Sequence, residues 1–481
     1  MSINRKAKPL DERLALLRAP QTRKLAFLTF FALVALTGGG ARSDIVSLIF
    51  LRPMAVLMGT YALLAMPPGA LVPFRKWLWL LLATAVVIAW QLVPLPPSIW
   101  QALPGRHGVA ELDTLLGFGD LWRPSSLAPA ATWNALVSLV VPSAALLLYA
   151  ALDDGDRHVL IPAIVVMAVF SATLGLLQLS AGPDSALYFY RITNGGLPVG
   201  LFSNRNHQAI FLAAALPALA FCLRYSNAGG AGWTKSAAVT LGLLLMIGVL
   251  LTGSRAGLVV VGPALAAAVI VLGGTFSKKP PSVARGRRWL GPVAIIGGIL
   301  IVGGVVVAAG GKAIERIWST DLDEEKRLQA LGPIIDLVET VWTTGAGAGT
   351  FTLAYQRVEP TQLIGPQYLN HAHNDYLELL IELGLPGMAL LMVFAGLLVL
   401  TMLSRTREMV GAGQSRAAVA MWVIPLIFAA ASITDYPLRT PSLAMVFFLF
   451  SVALGDRQSM AYVERATRRS PQAAPAPPRR V

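Results

Sequence analysis

The chain has 481 residues, of which 55% are hydrophobic and only 13% charged, with a mean hydropathy of +0.64. Soluble domains carry about 25% charged residues, so a large water-soluble enzyme is excluded. The net charge of +14 would raise nucleic-acid binding in a soluble protein, but here the basic residues sit in short loops between apolar runs. One cysteine, Cys222, rules out an intrachain disulfide, and five histidines leave little for a multi-histidine metal centre.

Taken in order, the apolar runs predict an all-α, polytopic membrane protein with about twelve spans. They fall near 24–40, 44–66, 77–94, 132–150, 158–179, 207–223, 237–252, 257–273, 289–309, 376–403, 417–434 and 441–455. A basic tail, 1–23, precedes the transmembrane domain 24–455, and a cytoplasmic, disordered tail follows over 456–481, Pro/Ala-rich from Pro471 to Val481. With the N-terminus inside, cytoplasmic segments hold 26 of the 39 Lys and Arg and external segments 12, Arg52 lying inside the second span. The basic loop Ser277–Arg288 is the clearest cytoplasmic segment. This asymmetry predicts that both termini are cytoplasmic.

Two external segments are long, about 95–131 and about 310–375. The second carries an amphipathic helix in which Leu328, Leu331, Ile335, Val338 and Trp342 recur at helical spacing, able to lie on the membrane or pack over the bundle. It stops at Gly345-Ala346-Gly347-Ala348-Gly349, a turn whose spacing does not fit a dinucleotide loop.

The topology puts four polar clusters on the external face. They are Ser203–Gln208, Thr252–Gly257, Lys326-Arg327 and Asn370–Asp375. Segments far apart in sequence thus share one side and one membrane depth, which predicts a single site. Bland readings compete. Ser203 and Asn204 suit helix caps, Arg205 suits snorkelling to headgroup phosphates, and Lys326-Arg327 suit pairing with the acidic run from Asp321 to Glu325. Arg439 and Asp435 can pair as a lock between the last two spans. Arg255 is harder to dismiss, because a positive residue is disfavoured on the external side and its turn has no room to retreat into water. His107 and His158 take a structural default. His371 and His373 flank the junction of a long loop and a span, where an ordinary histidine accepts a proton at neutral pH. As a metal pair they would need extended backbone, since helical neighbours two apart face different ways.

Arginines, asparagines and a histidine at an outer membrane face, without an evident metal set, suit transfer of a glycan from a polyprenyl diphosphate. Arginine forks grip phosphate oxygens, and a histidine deprotonates the acceptor hydroxyl.

At these residues the sequence resembles the O-antigen ligase and polymerase family of bacterial membrane glycosyltransferases. His373-Asn374, nine residues, Gly384, two residues, Gly387 is similar to the ligase pattern His-Asn-x9-Gly-x-x-Gly. Phe202–His207, Leu251–Gly257 and the turn Gly345–Phe351 also look like the family, so that the resemblance covers roughly 195–400. It implies a membrane glycosyltransferase of the C type in the bacterial inner membrane, its active face periplasmic. It further implies His373 as base, Arg255 with Arg205 and Arg327 on the donor diphosphate, and Asn204, Asn206, Ser254, His371 and Asn374 in support. Transfer is implied to be inverting and independent of metal or other cofactor, with an undecaprenyl-diphosphate-linked glycan as donor. Three acceptors fit: lipid A–core for a ligase, a second lipid-linked glycan for an O-antigen or exopolysaccharide polymerase, and a serine hydroxyl for a protein O-glycosyltransferase. From another class, a secondary transporter is favoured only by Arg52-Pro53, since no internal repeat is visible.

Overall fold

A computed structural model describes residues 15–225, 232–273, 322–365 and 368–456. The expected ninth span, the Ser277–Arg288 loop, the C-terminal tail and most of the N-terminal tail lie outside the described residues. The regular structure among the described residues is helical, apart from a two-residue antiparallel ladder joining Pro94–Leu95 to Arg123–Pro124.

The principal helices are α1 (Pro20–Thr37), α2 (Ser47–Ala65), α3 (Arg75–Trp90), α4 (Pro129–Ser138), α5 (Val140–Ala150), α6 (Leu160–Ala181) and α7 (Arg205–Tyr225). They continue with α8 (Gly232–Leu251), α9 (Arg255–Leu272), α10 (Leu322–Val341), α11 (Asp375–Gly411), α12 (Ser415–Ala431) and α13 (Pro441–Gly455). Seven segments among the described residues are long and apolar enough to cross a membrane, and α12 and α13 are shorter apolar helices. Proline opens α1, α4 and α13, where its missing N–H costs nothing.

Two predicted elements change in detail. The fourth run is two helices meeting at Leu139, because the Pro142 ring conflicts with the Ser138 carbonyl one turn back. The amphipathic helix α10 buries Ala330, Ile334, Leu337 and Val341 against Phe351, Tyr355 and Ile381. Its expected stripe of Leu328, Leu331, Ile335 and Trp342 stays exposed, so the packed face is the neighbouring one, lined by a smaller residue.

Helix α7 is the centre of the bundle, with 89% of its apolar window buried, packed by α6, α8, α9 and α12. Backbone hydrogen bonds tie several helix ends together at one end of the bundle. Ser442 N–H donates to Gly38 O (3.0 Å), Ser203 N–H to Gly39 O (3.0 Å) and Asp375 N–H to Ser432 O (2.9 Å). The starts of α7, α11 and α13 thereby meet the ends of α1 and α12. At the opposite end, ion pairs join Arg23 to Asp153 (2.7 Å), Lys24 to Asp156 (2.9 Å) and Arg157 to Asp456 (3.5 Å). Arg52, unassigned by sequence, donates to Asn134 Oδ1 (2.6 Å), joining α2 to α4.

Candidate active site

At the tied end lies a cavity of about 650 Å³, within the size range of small-ligand sites. Its lining includes Asn204, Arg205 and Asn206 from the start of α7, Arg255 from the start of α9, and Arg327 from α10. His373 and Tyr436 line it as well. Residues separated by up to 232 positions thus face one space. Local sequence fixes each position. Asn204 Oδ1 accepts from Asn206 N–H (2.8 Å), while Asn194 Oδ1 accepts from Arg205 N–H (3.0 Å). Ser254 caps α9, its Oγ accepting from Gly257 N–H (3.0 Å). Arg205 and Arg255 each occupy the first position of a helix, where a cation opposes the helix dipole and an anion is favoured. Two guanidinium groups and two positive helix ends beside one cavity make it a place for an anion.

His373 is the one non-glycine among the described residues with a left-handed backbone, at φ 51°. Such a conformation costs about 1–3 kcal/mol and persists where its surroundings over-determine it. Asn374 does so by capping α11: its Oδ1 accepts from Tyr376 and Leu377 N–H (both 3.0 Å), and its Nδ2 donates to Ile433 O (2.9 Å). The turn delivers His373 Nδ1 to 3.5 Å from Asp435 Oδ1. Asp435 is fully buried. Its Oδ2 accepts from Asn206 Nδ2 (2.6 Å) and its Oδ1 from Tyr436 N–H (2.9 Å), with His207 Nε2 at 3.8 Å. Burial pushes the Asp435 carboxyl up, but His373 and His207 more than offset this and hold it well below the usual range. For His373, burial outweighs the opposing pull of Asp435 and leaves the imidazole below its ordinary value. With Nδ1 facing Asp435, a proton on that nitrogen leaves Nε2 as the basic one.

The glycine spacing after His373 has a backbone cause. Gly384 sits inside α11 with φ 61° and ψ −150°, a break in an otherwise continuous helix. The Gly345–Gly349 turn docks into that break, Ala346 N–H donating to Ile381 O (2.7 Å) and Gly347 N–H to Glu382 O (3.0 Å). A Cβ on Gly384 would lie 2.6 Å from Gly345 N, and Gly345 itself has φ 72°. Buried Gln91 clamps the joint, donating to Glu382 O and accepting from Ala348 N–H, each at 2.9 Å. The first turns of α11, which carry the histidine segment, are thereby held against the end of α10.

Residues 240–392 match the O-antigen ligase family. No curated protein matches the chain. The O-antigen ligase segment is about a third of the sequence. It holds Arg255, Arg327, His373 and both motif glycines, while Arg205, Asp435 and Arg439 lie outside it. The apolar helices make this a polytopic membrane protein, and the match places an O-antigen ligase-like segment within it.

Not every sequence-predicted residue reaches the cavity. Ser254 is buried as a cap, and Asn374 acts as the other cap. His371 turns away from the space: Nδ1 bonds Glu378 Oε1 (2.7 Å), and Nε2 lies 3.4 Å from Ala41 O. Burial lowers its pKa, but Glu378 outweighs that and leaves it raised, so His371 is a poor base. Side chains of the Asp321–Glu325 run lie outside the described residues, and so does that of Lys326.

The Asp435–Arg439 pair expected from sequence does not form. Arg439 instead donates from Nη1 to Glu382 Oε2 (2.6 Å), and its Nε lies 3.6 Å from Asp375 Oδ1 and 3.5 Å from Glu378 Oε1. Three carboxylates outweigh the burial that would weaken the guanidinium, so its pKa is raised. The signal was present: Asp375, Glu378 and Glu382 fall at spacings of three and four, on one face of a span start. Tyr436 separates the two charge systems. The rings of His207, His371 and His373 pack on it at centroid distances of 5.0, 4.3 and 4.8 Å.

Proposed function

We propose that the protein transfers a glycan from a polyprenyl diphosphate, undecaprenyl diphosphate in bacteria, to a hydroxyl of lipid A–core at the periplasmic face of the inner membrane. One observation carries this reading: Arg205, Arg255 and Arg327 line the same cavity as a histidine backed by a buried carboxylate. The arginines bind the diphosphate and stabilise the charge that builds on it as it leaves. His373 Nε2 takes the acceptor hydroxyl proton as the oxygen attacks the anomeric carbon. The new C–O bond forms while the bond to the diphosphate breaks, and the leaving oxygen keeps the electron pair. Attack from the face opposite the leaving group inverts the anomeric centre. Asp435 holds the imidazole in its tautomer and stabilises the imidazolium, as a carboxylate behind a catalytic histidine does elsewhere. Asn206, bonded to Asp435 and lining the cavity, ties the donor-binding end of α7 to the base.

The test is reconstitution of purified full-length protein with a radiolabelled polyprenyl-diphosphate glycan and lipid A–core. Labelled glycan should move to lipid A–core, and EDTA should leave the rate within twofold. A ladder of lengthened lipid-linked glycan without added lipid A–core would assign a polymerase instead. Uptake into vesicles without transfer would assign a transporter, and inhibition by EDTA reversed by a divalent ion would make the reaction metal-dependent.

A further inference from the structure

The cavity wall that lies off the span helices differs in chemistry from the rest. It is built by Tyr355, Glu359, Leu363, Tyr368, Leu369 and Asn370, and is closed by Arg42 from the loop between α1 and α2. Glu359 is the one carboxylate among the described lining residues. A carboxylate repels a diphosphate, so this stretch of wall is not an extension of the arginine cluster. Arg42 does not extend it either, because Asp44 accepts from its Nε (2.8 Å) and its Nη2 (2.7 Å). The Arg42 guanidinium lies 5.4 Å from the centroid of the Tyr368 ring, and Tyr368 is 47% exposed. Tyr355 brings a second phenol to the lining. A planar ring, a carboxylate and an amide are the groups that bind a neutral, hydroxyl-rich ring: C–H faces stack on the aromatic, and hydroxyls donate to the charged oxygen.

We propose that Tyr368, Glu359 and Asn370 form a saccharide subsite that receives the acceptor, with Arg42 holding the Tyr368 ring in place. This rests on the glycan-transfer reading above and names the residues that receive its sugar acceptor. Position in the chain favours acceptor over donor. A lipid-linked donor has its tail among the spans and its diphosphate at the ends of α7 and α9. The wall in question runs directly into the base, Asn370 standing three residues before His373. Asn370 O accepts from Thr352 Oγ1 (3.3 Å), which ties the segment to the Phe351–Tyr355 turn. A sugar stacked on Tyr368 thus shares one cavity with the nitrogen that must take the proton.

The experiment is saturation-transfer NMR on the full-length protein in nanodiscs with three probes. These are delipidated oligosaccharide released from lipopolysaccharide, a serine-containing peptide, and inorganic pyrophosphate. The oligosaccharide should bind, Tyr368→Ala and Glu359→Gln should each weaken it at least tenfold, and Tyr368→Phe should stay within threefold of wild type. Pyrophosphate binding should be unchanged in all three variants, which also reports an intact fold. Undiminished oligosaccharide binding in Tyr368→Ala, or capture of the peptide in its place, overturns the subsite. Pyrophosphate that fails to bind wild type, while oligosaccharide binding still depends on Tyr368, sinks the donor reading and leaves the subsite standing.

Discussion

His371 and His373 are two residues apart and lie in opposite circumstances. His373 faces an open cavity, with its Nδ1 toward a single buried carboxylate and its pKa lowered. His371 has both ring nitrogens engaged and its pKa raised, at the edge of a cluster in which Arg439 meets Asp375, Glu378 and Glu382. The same residue type faces the cavity in one place, where the proposed reaction uses it as a base, and packs into the bundle in the other. What separates them is the left-handed turn at His373, which rotates one imidazole to the space and the other to the bundle. Substitutions on the cavity side should therefore change rate and spare the fold, and those on the cluster side should do the reverse.

The largest expected effect is on the cavity side. His373→Ala should lower transfer by about 10²–10⁴-fold, the usual contribution of a placed general base, with unchanged yield and melting temperature in detergent. Because His373 pays for a positive φ, His373→Gly should be inactive yet melt no lower than wild type, and activity in either variant removes the base. On the cluster side, Arg439→Ala strands three acidic groups that are nearly inaccessible. Loss of one partner from a buried ion pair costs about 3–5 kcal/mol, so the melting temperature should drop steeply. An unchanged melting curve would show that the carboxylates were never compensated by this guanidinium.

Asp435→Asn probes the boundary between the two. The carboxylate raises the His373 pKa against the larger lowering by burial. Removing its charge should therefore shift the acid limb of the rate profile to lower pH. At the same time the imidazolium formed in the transition state loses its counter-charge, so the plateau rate should fall by about 10-fold or more. A limb that moves to higher pH would mean that Asp435 does not face the base.

Much of this was legible in the sequence. Apolar runs located helices among the described residues, most ends falling within a few residues, because burying backbone in lipid demands helices. The four polar clusters pointed to one end of the bundle, and three of them meet at the cavity through Arg205, Arg255 and His373, with Arg327 from the fourth. The partners within the site were not legible. Asp435 pairs with His373 rather than Arg439 because Tyr436 stands between the two charge systems, and no spacing rule reports a wall of that kind. Nor could composition show that Gly384 breaks α11 to receive the Gly345 turn. That depends on two backbones meeting across 39 residues.

The smallest effect separates charge from shape in the arginine cluster. Arg255→Lys retains the positive charge at the start of α9 but loses the planar fork that meets two phosphate oxygens together. One charge-assisted hydrogen bond is worth about 1.5–3 kcal/mol, so the donor KM should rise roughly tenfold or somewhat more. Acceptor KM and melting temperature should hold, since the Ser254 cap and not the arginine starts the helix. A lysine variant with wild-type donor KM would show that the cavity attracts the diphosphate by field alone. The match of donor to guanidinium geometry would then rest on Arg205 and Arg327, and the same substitution at each would locate it.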